Sequence, residues 1–107
     1  MSLFSKKFKS LSMNKAISEL QQNSEIVLVD VRTKEEYTSG RIPKSVNIPI
    51  ENLQAVLKKI PNKDTPLFVY CLSGGRSIQA SGMLYQLGYT NVTNIGGIMS
   101  YNGAIER

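Results

Sequence analysis

The sequence LFVYCLSGGRS at residues 67–77 decides the fold of this chain. Its first four residues are apolar or aromatic, and such an unbroken run is typical of a strand buried on both faces of a parallel sheet. The serine and glycines that follow cannot extend that strand and predict a loop. A helix is expected to begin at Arg76 or Ser77. Cys71 therefore stands at the carboxyl end of a buried strand, directly before a loop and a helix.

Further strands are predicted on both sides of this stretch. Apolar runs bounded by turn residues predict strands at residues 25–31, 45–48 and 92–95. Gly96 and Gly97 predict a turn after the last of these strands. Because predicted helices alternate with the strands, we expect an α/β fold with a mostly parallel sheet flanked by helices on both faces. Ligands bind such sheets beyond the carboxyl ends of the strands, where Cys71 lies.

Capping residues predict where the first two helices begin. Ser12 has N-cap chemistry and precedes a helical apolar pattern over residues 13–20. Thr33 and Glu36 have the spacing of a capping box, which predicts a short helix, and Gly40 is expected to close it. Each of these helices follows or precedes a predicted strand, as a parallel sheet requires.

Apolar spacing predicts two later helices. One is expected over residues 51–60, and its inward-facing residues are predicted to be Leu53, Val56, Leu57 and Ile60. The other follows Cys71 and ends at Gly88, which has the position of a residue that terminates a helix. The tail, residues 98–107, is expected to hold one helical turn.

Length and composition predict one globular domain. The chain has 107 residues, of which 41% are hydrophobic and 20% are charged, the balance of a folded chain with a single core. We divide it into an amino-terminal arm at residues 1–11 and a domain at residues 12–107. The arm contains a basic and aromatic cluster made of Phe4, Lys6, Lys7, Phe8 and Lys9. A solvated arm explains the cluster better than nucleic-acid binding, because no basic helix or aromatic platform recurs later.

The sequence carries no sign of export or membrane insertion. Its basic start lacks the apolar stretch of a secretory signal. No apolar run approaches the roughly 18 residues of a membrane helix. We therefore expect an unexported protein with no membrane partner.

The absence of histidine and the single cysteine limit the chemistry. Without histidine the chain can form neither a Ser-His-Asp or Cys-His triad nor a zinc site that uses histidine, and we expect no metal or other cofactor. One cysteine cannot form an internal disulfide, and a lone thiol fits a reducing, cytoplasmic compartment. The net charge of +5 and the pI of about 9.5 favour anionic partners.

The cysteine loop, residues 71–77, has the parts of an anion-binding site. Backbone N–H groups of a loop can converge on the sulfur, and the positive end of the following helix adds to their field. Gly74 and Gly75 permit a tight backbone path, and Arg76 adds a fixed charge and a planar fork for an oxyanion. These groups favour the nucleophilic thiolate. A lone cysteine is more often a small buried hydrophobe, but this setting favours a nucleophile that needs no imidazole.

Four sequence blocks resemble the rhodanese-like family and occur in its order. They are LVDVR at 28–32 with EY at 36–37 and GRIP at 40–43, VNIP at 46–49, CLSGGRS at 71–77 followed by GYTNV at 88–92, and IGG at 95–97. The resemblance extends from about residue 12 to residue 106 and implies a five-stranded parallel sheet. Since the residues alone predict four strands, we expect a short fifth strand just before Ser12.

The resemblance implies a sulfurtransferase in which Cys71 is the nucleophile. Cys71 would take sulfane sulfur from a small anionic donor such as thiosulfate, hold it as a persulfide, and pass it to a thiophilic acceptor such as cyanide or a protein thiol. The backbone N–H groups around the sulfur would come from Leu72, Ser73, Gly74, Gly75 and Arg76. Arg76 would be catalytic together with Cys71 and would bind the oxyanion of the donor. Ser77 would belong to the substrate-binding loop, cap the helix and steady the loop.

Two positions depart from the family pattern. Arg41 stands where many relatives have histidine. Because this position is not that of the nucleophile, the departure does not threaten activity. Tyr101 is the nearest aromatic residue where many relatives have tryptophan. That residue would shape the mouth of the pocket, so the departure concerns donor preference.

Asp30, Arg32 and Glu36 form a second polar group near the predicted site. We interpret them as structural rather than catalytic. Asp30 and Arg32 would orient the cysteine loop, and Glu36 would pair with Arg32.

Other functions stay open beside the sulfurtransferase. A persulfide carrier in a protein sulfur relay would use the same chemistry at Cys71. Phosphatases with a loop cysteine and arginine place one residue more between them than the four that separate Cys71 from Arg76. The shorter loop suits a single sulfur atom better than a phosphate. A non-catalytic module is less favoured, because inactive relatives usually lack the cysteine. We expect a monomer.

Overall fold

A five-stranded parallel sheet forms the centre of the molecule in the computed structural model, which describes residues 8–107. The strands are β1 Lys9–Ser10, β2 Val27–Asp30, β3 Val46–Asn47, β4 Leu67–Cys71 and β5 Val92–Gly97. They lie in the order β1-β5-β4-β2-β3, and every pairing is parallel. The expected α/β fold is confirmed, as is the short fifth strand before Ser12. Because β4 is the central strand, all five of its residues are buried.

Helices connect the strands. They are α1 Met13–Gln22, α2 Lys34–Ser39, α3 Val56–Lys59 and α4 Gly75–Gln86, with 3₁₀ turns at Ile50–Ala55 and Ile98–Ser100. The predicted caps are confirmed at two of the helices. The Ser12 hydroxyl accepts a hydrogen bond from the Lys15 N–H, and Thr33 and Glu36 form a complete capping box. These caps fix where each helix leaves its strand.

The predicted helix over residues 51–60 is wrong in its first half. A 3₁₀ turn occupies Ile50–Ala55, and Asn52 interrupts it with non-helical torsions of φ −131° and ψ 42°. The α-helix that follows has only four residues. A 3₁₀ helix has 3.0 residues per turn, whereas an α-helix has 3.6. The side chains of this segment therefore point in directions that an α-helix would not give them. Leu57, predicted to face inward, is 40% exposed, whereas Val56 is fully buried.

The end of β5 also differs from the prediction. Gly96 and Gly97 extend the strand instead of forming a turn, and Gly97 pairs with Cys71 after a register irregularity between β4 and β5. Glycine is needed at position 97 for space, because a Cβ there would overlap the Leu72 carbonyl group. A turn was predicted here because two adjacent glycines are typical of turns. The backbone that packs against them cannot be inferred from the sequence.

The later part of the chain follows the prediction more closely. Gly88 lies directly beyond the end of α4 with a φ of 103°, as expected of a residue that terminates a helix. The tail holds the expected helical turn, at Ile98–Ser100. Residue 106 then pairs with the backbone of Arg41 in an antiparallel bridge, which fastens the tail to the turn after α2.

Alternate residues of β4 supply the two faces of the core. Leu67, Val69 and Cys71 belong to the cluster that includes Ala80 and Leu84 of α4. The opposite face, with Phe68 and Tyr70, packs against residues of α1. This period-two division is what a strand covered on both faces requires. Each large apolar side chain that is fully buried contributes about 1.5–3 kcal/mol to folding.

The amino-terminal residues are only partly described. Phe4, Lys6 and Lys7 of the predicted basic cluster lie outside the described residues, so the solvated arm stays a prediction. Phe8 packs against the core, and Lys9 pairs with β5. The division at residue 12 therefore also stays a prediction, with part of the proposed arm in the sheet. Within residues 8–107, no helix is long and apolar enough to cross a bilayer.

Candidate active site

Cys71 is the last residue of β4 and lies at the carboxyl edge of the sheet. Its side chain is a free thiol, and the residue is 1% exposed. The sulfur accepts hydrogen bonds from two backbone groups, the Gly74 N–H at 3.0 Å and the Ser77 N–H at 3.3 Å. Donors directed at sulfur stabilise negative charge on it. The sulfur of Cys71 therefore has polar backbone partners, although the residue is buried.

The backbone between Cys71 and α4 makes this arrangement possible. Gly74 is the N-cap of α4 and has a φ of 116°, a torsion that side chains rarely permit. The helix begins at Gly75, earlier than the predicted start at Arg76 or Ser77. Because the first N–H groups of a helix have no partner within it, they are free to point at the sulfur. The Ser77 N–H is one of these groups.

Only part of the predicted ring of donors contacts the thiol. Among residues 8–107, the N–H groups of Leu72, Ser73, Gly75 and Arg76 form no hydrogen bond with the Cys71 sulfur. Ser77, which was predicted to belong to the substrate-binding loop, supplies the second donor through its backbone N–H. The contribution of the other four N–H groups to a bound sulfur atom stays a prediction.

Ser77 does not cap α4, which corrects the expectation. Gly74 is the N-cap, and no side chain completes the cap. The Ser77 hydroxyl instead donates to Asn94 Oδ1 at 2.7 Å and lies 3.0 Å from the Gly74 carbonyl oxygen. Asn94 Oδ1 also accepts the Gly96 N–H at 3.1 Å. Ser77 thus joins the cysteine loop to β5.

Asn94 is a site residue that the sequence analysis missed. It is buried in β5 and positions Ser77, whose N–H reaches the sulfur. Its signal in the sequence is a polar amide inside the strand predicted at residues 92–95. A buried amide needs hydrogen-bond partners, so its presence indicates a nearby polar element. The pattern alone does not say which element that is.

Arg76 is paired with Glu36 of α2. Arg76 Nη1 donates to Glu36 Oε1 at 2.7 Å, and Nη2 donates to Oε2 at 3.0 Å. The hydrogen bonds from Arg76 lower the pKa of Glu36 to about 2, against the opposing effect of burial. The same hydrogen bonds raise the pKa of Arg76. The predicted Glu36–Arg32 pair is wrong, because α2 turns Glu36 toward the start of α4.

Arg32 is held by Asp30 instead. Arg32 Nη2 lies 2.8 Å from Asp30 Oδ2 and donates to the Gly40 carbonyl oxygen at 2.7 Å. Burial acts to lower the pKa of Arg32, but the hydrogen bonds and charge of Asp30 outweigh it and raise the pKa. Within the described residues, neither side chain bonds to the cysteine loop. The pair holds the turn after α2 rather than the loop, and its purely structural role stays a prediction.

A tyrosine strengthens the same edge of the sheet. Tyr70 precedes Cys71, is fully buried, and donates a hydrogen bond to the Ser45 hydroxyl. Its oxygen accepts the Ile42 N–H at 3.2 Å. Burial raises the pKa of Tyr70, so its hydroxyl stays neutral and serves as a structural link. The turn that carries Ile42 is thereby tied to the strand that carries Cys71.

A groove lies beside the cysteine loop, and Leu72 is the loop residue that lines it. Its walls include the apolar side chains of Leu72, Ile98 and Ile105, and the α2 residues Glu36 and Ser39. Leu72 is 40% exposed and the neighbouring Met99 is 73% exposed. Tyr101 does not line this groove, so its place at the mouth of the pocket stays a prediction. It packs against the core, and its hydroxyl donates to the Ala104 carbonyl oxygen.

Cys71, its two backbone donors and the paired arginine define a class of protein. It is an α/β protein with a cysteine at the end of a parallel strand, whose sulfur accepts backbone hydrogen bonds from the loop and helix that follow. The comparison with known sequences narrows this class. Residues 13–104 match the Rhodanese-like domain, and the chain belongs to that family.

Named relatives of the chain are sulfurtransferases. A protein named "Sulfurtransferase" from Allochromatium vinosum is 39% identical over 83 residues, which cover 77% of each chain. The "Thiosulfate sulfurtransferase PspE" of Escherichia coli is 35% identical over 71 residues, or 65% of this chain and 68% of that protein. A yeast protein from Ogataea parapolymorpha, named "Adenylyltransferase and sulfurtransferase uba4", is 33% identical over 92 residues. The match covers 85% of this chain and 24% of that protein.

A solved structure agrees with the family assignment. The rhodanese-like domain protein of Staphylococcus aureus superposes with a TM-score of 0.83 at 28% identity. The superposition covers 92% of this chain and 97% of that one. The agreement over nearly the whole of both chains confirms the five-stranded α/β fold.

Proposed function

We propose that this protein is a rhodanese-type sulfurtransferase that carries sulfur as a persulfide on Cys71. The observation that carries the proposal is the pair of N–H donors at the Cys71 sulfur. These donors would stabilise a thiolate in a chain that has no histidine to deprotonate the thiol. The names of the relatives support sulfur as the group transferred. Backbone donors suit this task because they stabilise an anion without taking up a proton.

The reaction we propose has two displacements at sulfur. The Cys71 thiolate attacks the sulfane sulfur of a donor such as thiosulfate, the S–S bond of the donor breaks, and sulfite leaves with the electron pair. The thiolate of an acceptor then attacks the outer sulfur of the persulfide, and Cys71 leaves as a thiolate. Anionic sulfur stands in the loop before and after each step, so the N–H donors stabilise both end states.

The size of the loop supports a sulfur atom as the cargo. Four residues separate Cys71 from Arg76, and the backbone of Gly97 packs directly against the Leu72 carbonyl. A tetrahedral phosphate needs a wider ring of N–H groups, so phosphatase chemistry is less favoured. The unassigned N–H groups of Leu72, Ser73, Gly75 and Arg76 are our candidates to hold the outer sulfur of the persulfide.

The acceptor is either a small thiophile or a protein. A protein relay has specific support from two features. One relative couples a sulfurtransferase with an adenylyltransferase in a single chain. In addition, the exposed Leu72 and Met99 beside the loop offer apolar contacts to a larger acceptor. We also propose a cytoplasmic protein, because a free, reactive thiol fits a reducing compartment.

Product release tests the proposal. With thiosulfate and cyanide we expect sulfite and thiocyanate from the wild-type protein and neither product from Cys71→Ser. A phosphate ester assayed in parallel should stay intact. Hydrolysis of the ester without sulfur transfer would favour the phosphatase. Turnover by Cys71→Ser equal to the wild type would remove Cys71 from the reaction.

A further inference from the structure

The charge of Arg76 is already compensated before any donor binds. Both of its terminal nitrogens donate to the Glu36 carboxylate, at 2.7 and 3.0 Å. Glu51 is a second carboxylate close enough to act on Arg76 electrostatically. Two carboxylates therefore act on the arginine of the cysteine loop, although the chain as a whole carries a net charge of +5. An incoming oxyanion must compete with Glu36 for the same nitrogens.

From this geometry we infer that Glu36 is a specificity residue that disfavours doubly charged sulfur donors such as thiosulfate and favours donors of lower charge such as organic persulfides. This inference rests on the proposed function. The Coulomb attraction of a dianion to a free guanidinium is twice that of a monoanion. Pairing of Arg76 with Glu36 therefore weakens the binding of a dianion more than that of a monoanion. The Cys71 sulfur is also close enough to Arg76 for their charges to interact. Arg76 is thus placed to sense the charge of a donor that reaches the sulfur.

The alternative hypothesis, that Glu36 has only a structural role, makes a different prediction. Glu36 Oε1 also accepts the Thr33 N–H at 2.9 Å, which completes the cap of α2. If Glu36 served only this cap, its loss would weaken use of every donor alike. Glu36→Gln separates the two readings, because glutamine is accepted at this position of a capping box. The substitution removes the charge and keeps the acceptor for Thr33.

Glu35→Gln is the matched control. Glu35 is the preceding residue of α2 and is exposed, and its carboxylate has no hydrogen bond or ion pair among residues 8–107. The substitution removes the same charge from the same helix but leaves the Arg76–Glu36 pair intact. A general effect of net charge would appear in both variants. An effect that depends on Arg76 would appear only in Glu36→Gln.

Two donors of different charge provide the measurement. Thiosulfate is the dianion, and the persulfide of 2-mercaptoethanol carries only the charge of its own sulfur. With the persulfide, the Cys71 thiolate attacks the outer sulfur and 2-mercaptoethanol leaves as its thiolate. We expect Glu36→Gln to raise kcat/KM for thiosulfate about fivefold, the effect of releasing one partly exposed ion pair. The gain for the monoanion should be about twofold, and Glu35→Gln should change either value by less than twofold.

Salt dependence and a second variant complete the test. The gain of Glu36→Gln with thiosulfate should shrink at high ionic strength, because salt screens exposed charges. Arg76→Ala should weaken use of thiosulfate more than use of the persulfide. Equal changes with both donors, or equal changes in Glu35→Gln and Glu36→Gln, would overturn the inference while the proposed function stands. If no donor transfers sulfur to the wild-type protein, the proposed function fails and takes this inference with it.

Discussion

Gly97→Ala perturbs the contact that closes the cysteine loop against β5. A Cβ on residue 97 would lie 2.6 Å from both the Leu72 carbonyl carbon and the Ser73 Cα. Both atoms belong to the backbone, so the loop must move as a unit to relieve the overlap. Overpacking of this kind costs about 1–3 kcal/mol. For a domain of this length, a loss of about 2 kcal/mol lowers the Tm by roughly 10 °C.

Gly75→Ala is the control for this prediction. A Cβ on Gly75 would meet nothing within 4 Å, and its φ lies outside the positive range that disfavours side chains. Alanine in the first turn of α4 should therefore leave the Tm unchanged or raise it slightly. Thermal unfolding followed by circular dichroism measures both variants, and sulfur transfer from a donor measures the loop. If Gly97→Ala unfolds within about 2 °C of the wild type and transfers sulfur normally, the tight contact is not what shapes the loop.

Three further changes test other parts of the structure. Asn94→Ala removes the acceptor of Ser77 Oγ and of a backbone N–H, so we expect a loss of about 2 kcal/mol in urea unfolding, against less than about 0.5 kcal/mol for Asn91→Ala. Because Arg76 depresses the pKa of Glu36 from 4.5 to about 2, the ionised pair adds stability above about pH 4.5 and loses it as the pH falls toward 2. The Tm advantage of the wild type over Glu36→Gln should shrink across that window, and a constant advantage would contradict it. Val56→Ala should cost about 2 kcal/mol and Leu57→Ala under about 1 kcal/mol, and equal losses would support the predicted helix, in which both residues face inward.

Much of the fold could be predicted because its signals are local. The apolar run before Cys71 gives a central strand, and the partners in the capping box of α2 and in the Ser12 cap of α1 lie three positions apart. The fold then places Cys71 at the carboxyl edge of the sheet as a matter of topology. The short strand before Ser12 required the family resemblance, since two residues carry no periodic signal.

Partnerships between distant residues could not be predicted from the sequence. Glu36 lies 40 positions before Arg76, and the pair forms because of the way α2 faces the start of α4. Arg32 is nearer to Glu36 in the sequence, but its guanidinium is already paired with the Asp30 carboxylate. The role of Asn94 and the extension of β5 through Gly97 likewise depend on how the loop and the strand pack. These are tertiary choices between several chemically reasonable partners.

The central claim is that Cys71 carries sulfur, and the mass of the intact protein tests it most directly. The protein is incubated with thiosulfate or an organic persulfide, freed of excess donor and weighed, with Cys71→Ser treated in the same way. We predict that the wild type gains the mass of one sulfur atom, that peptide mapping places it on Cys71, and that addition of a thiol removes it. An unchanged mass with every donor, or an equal gain in Cys71→Ser, would contradict the account.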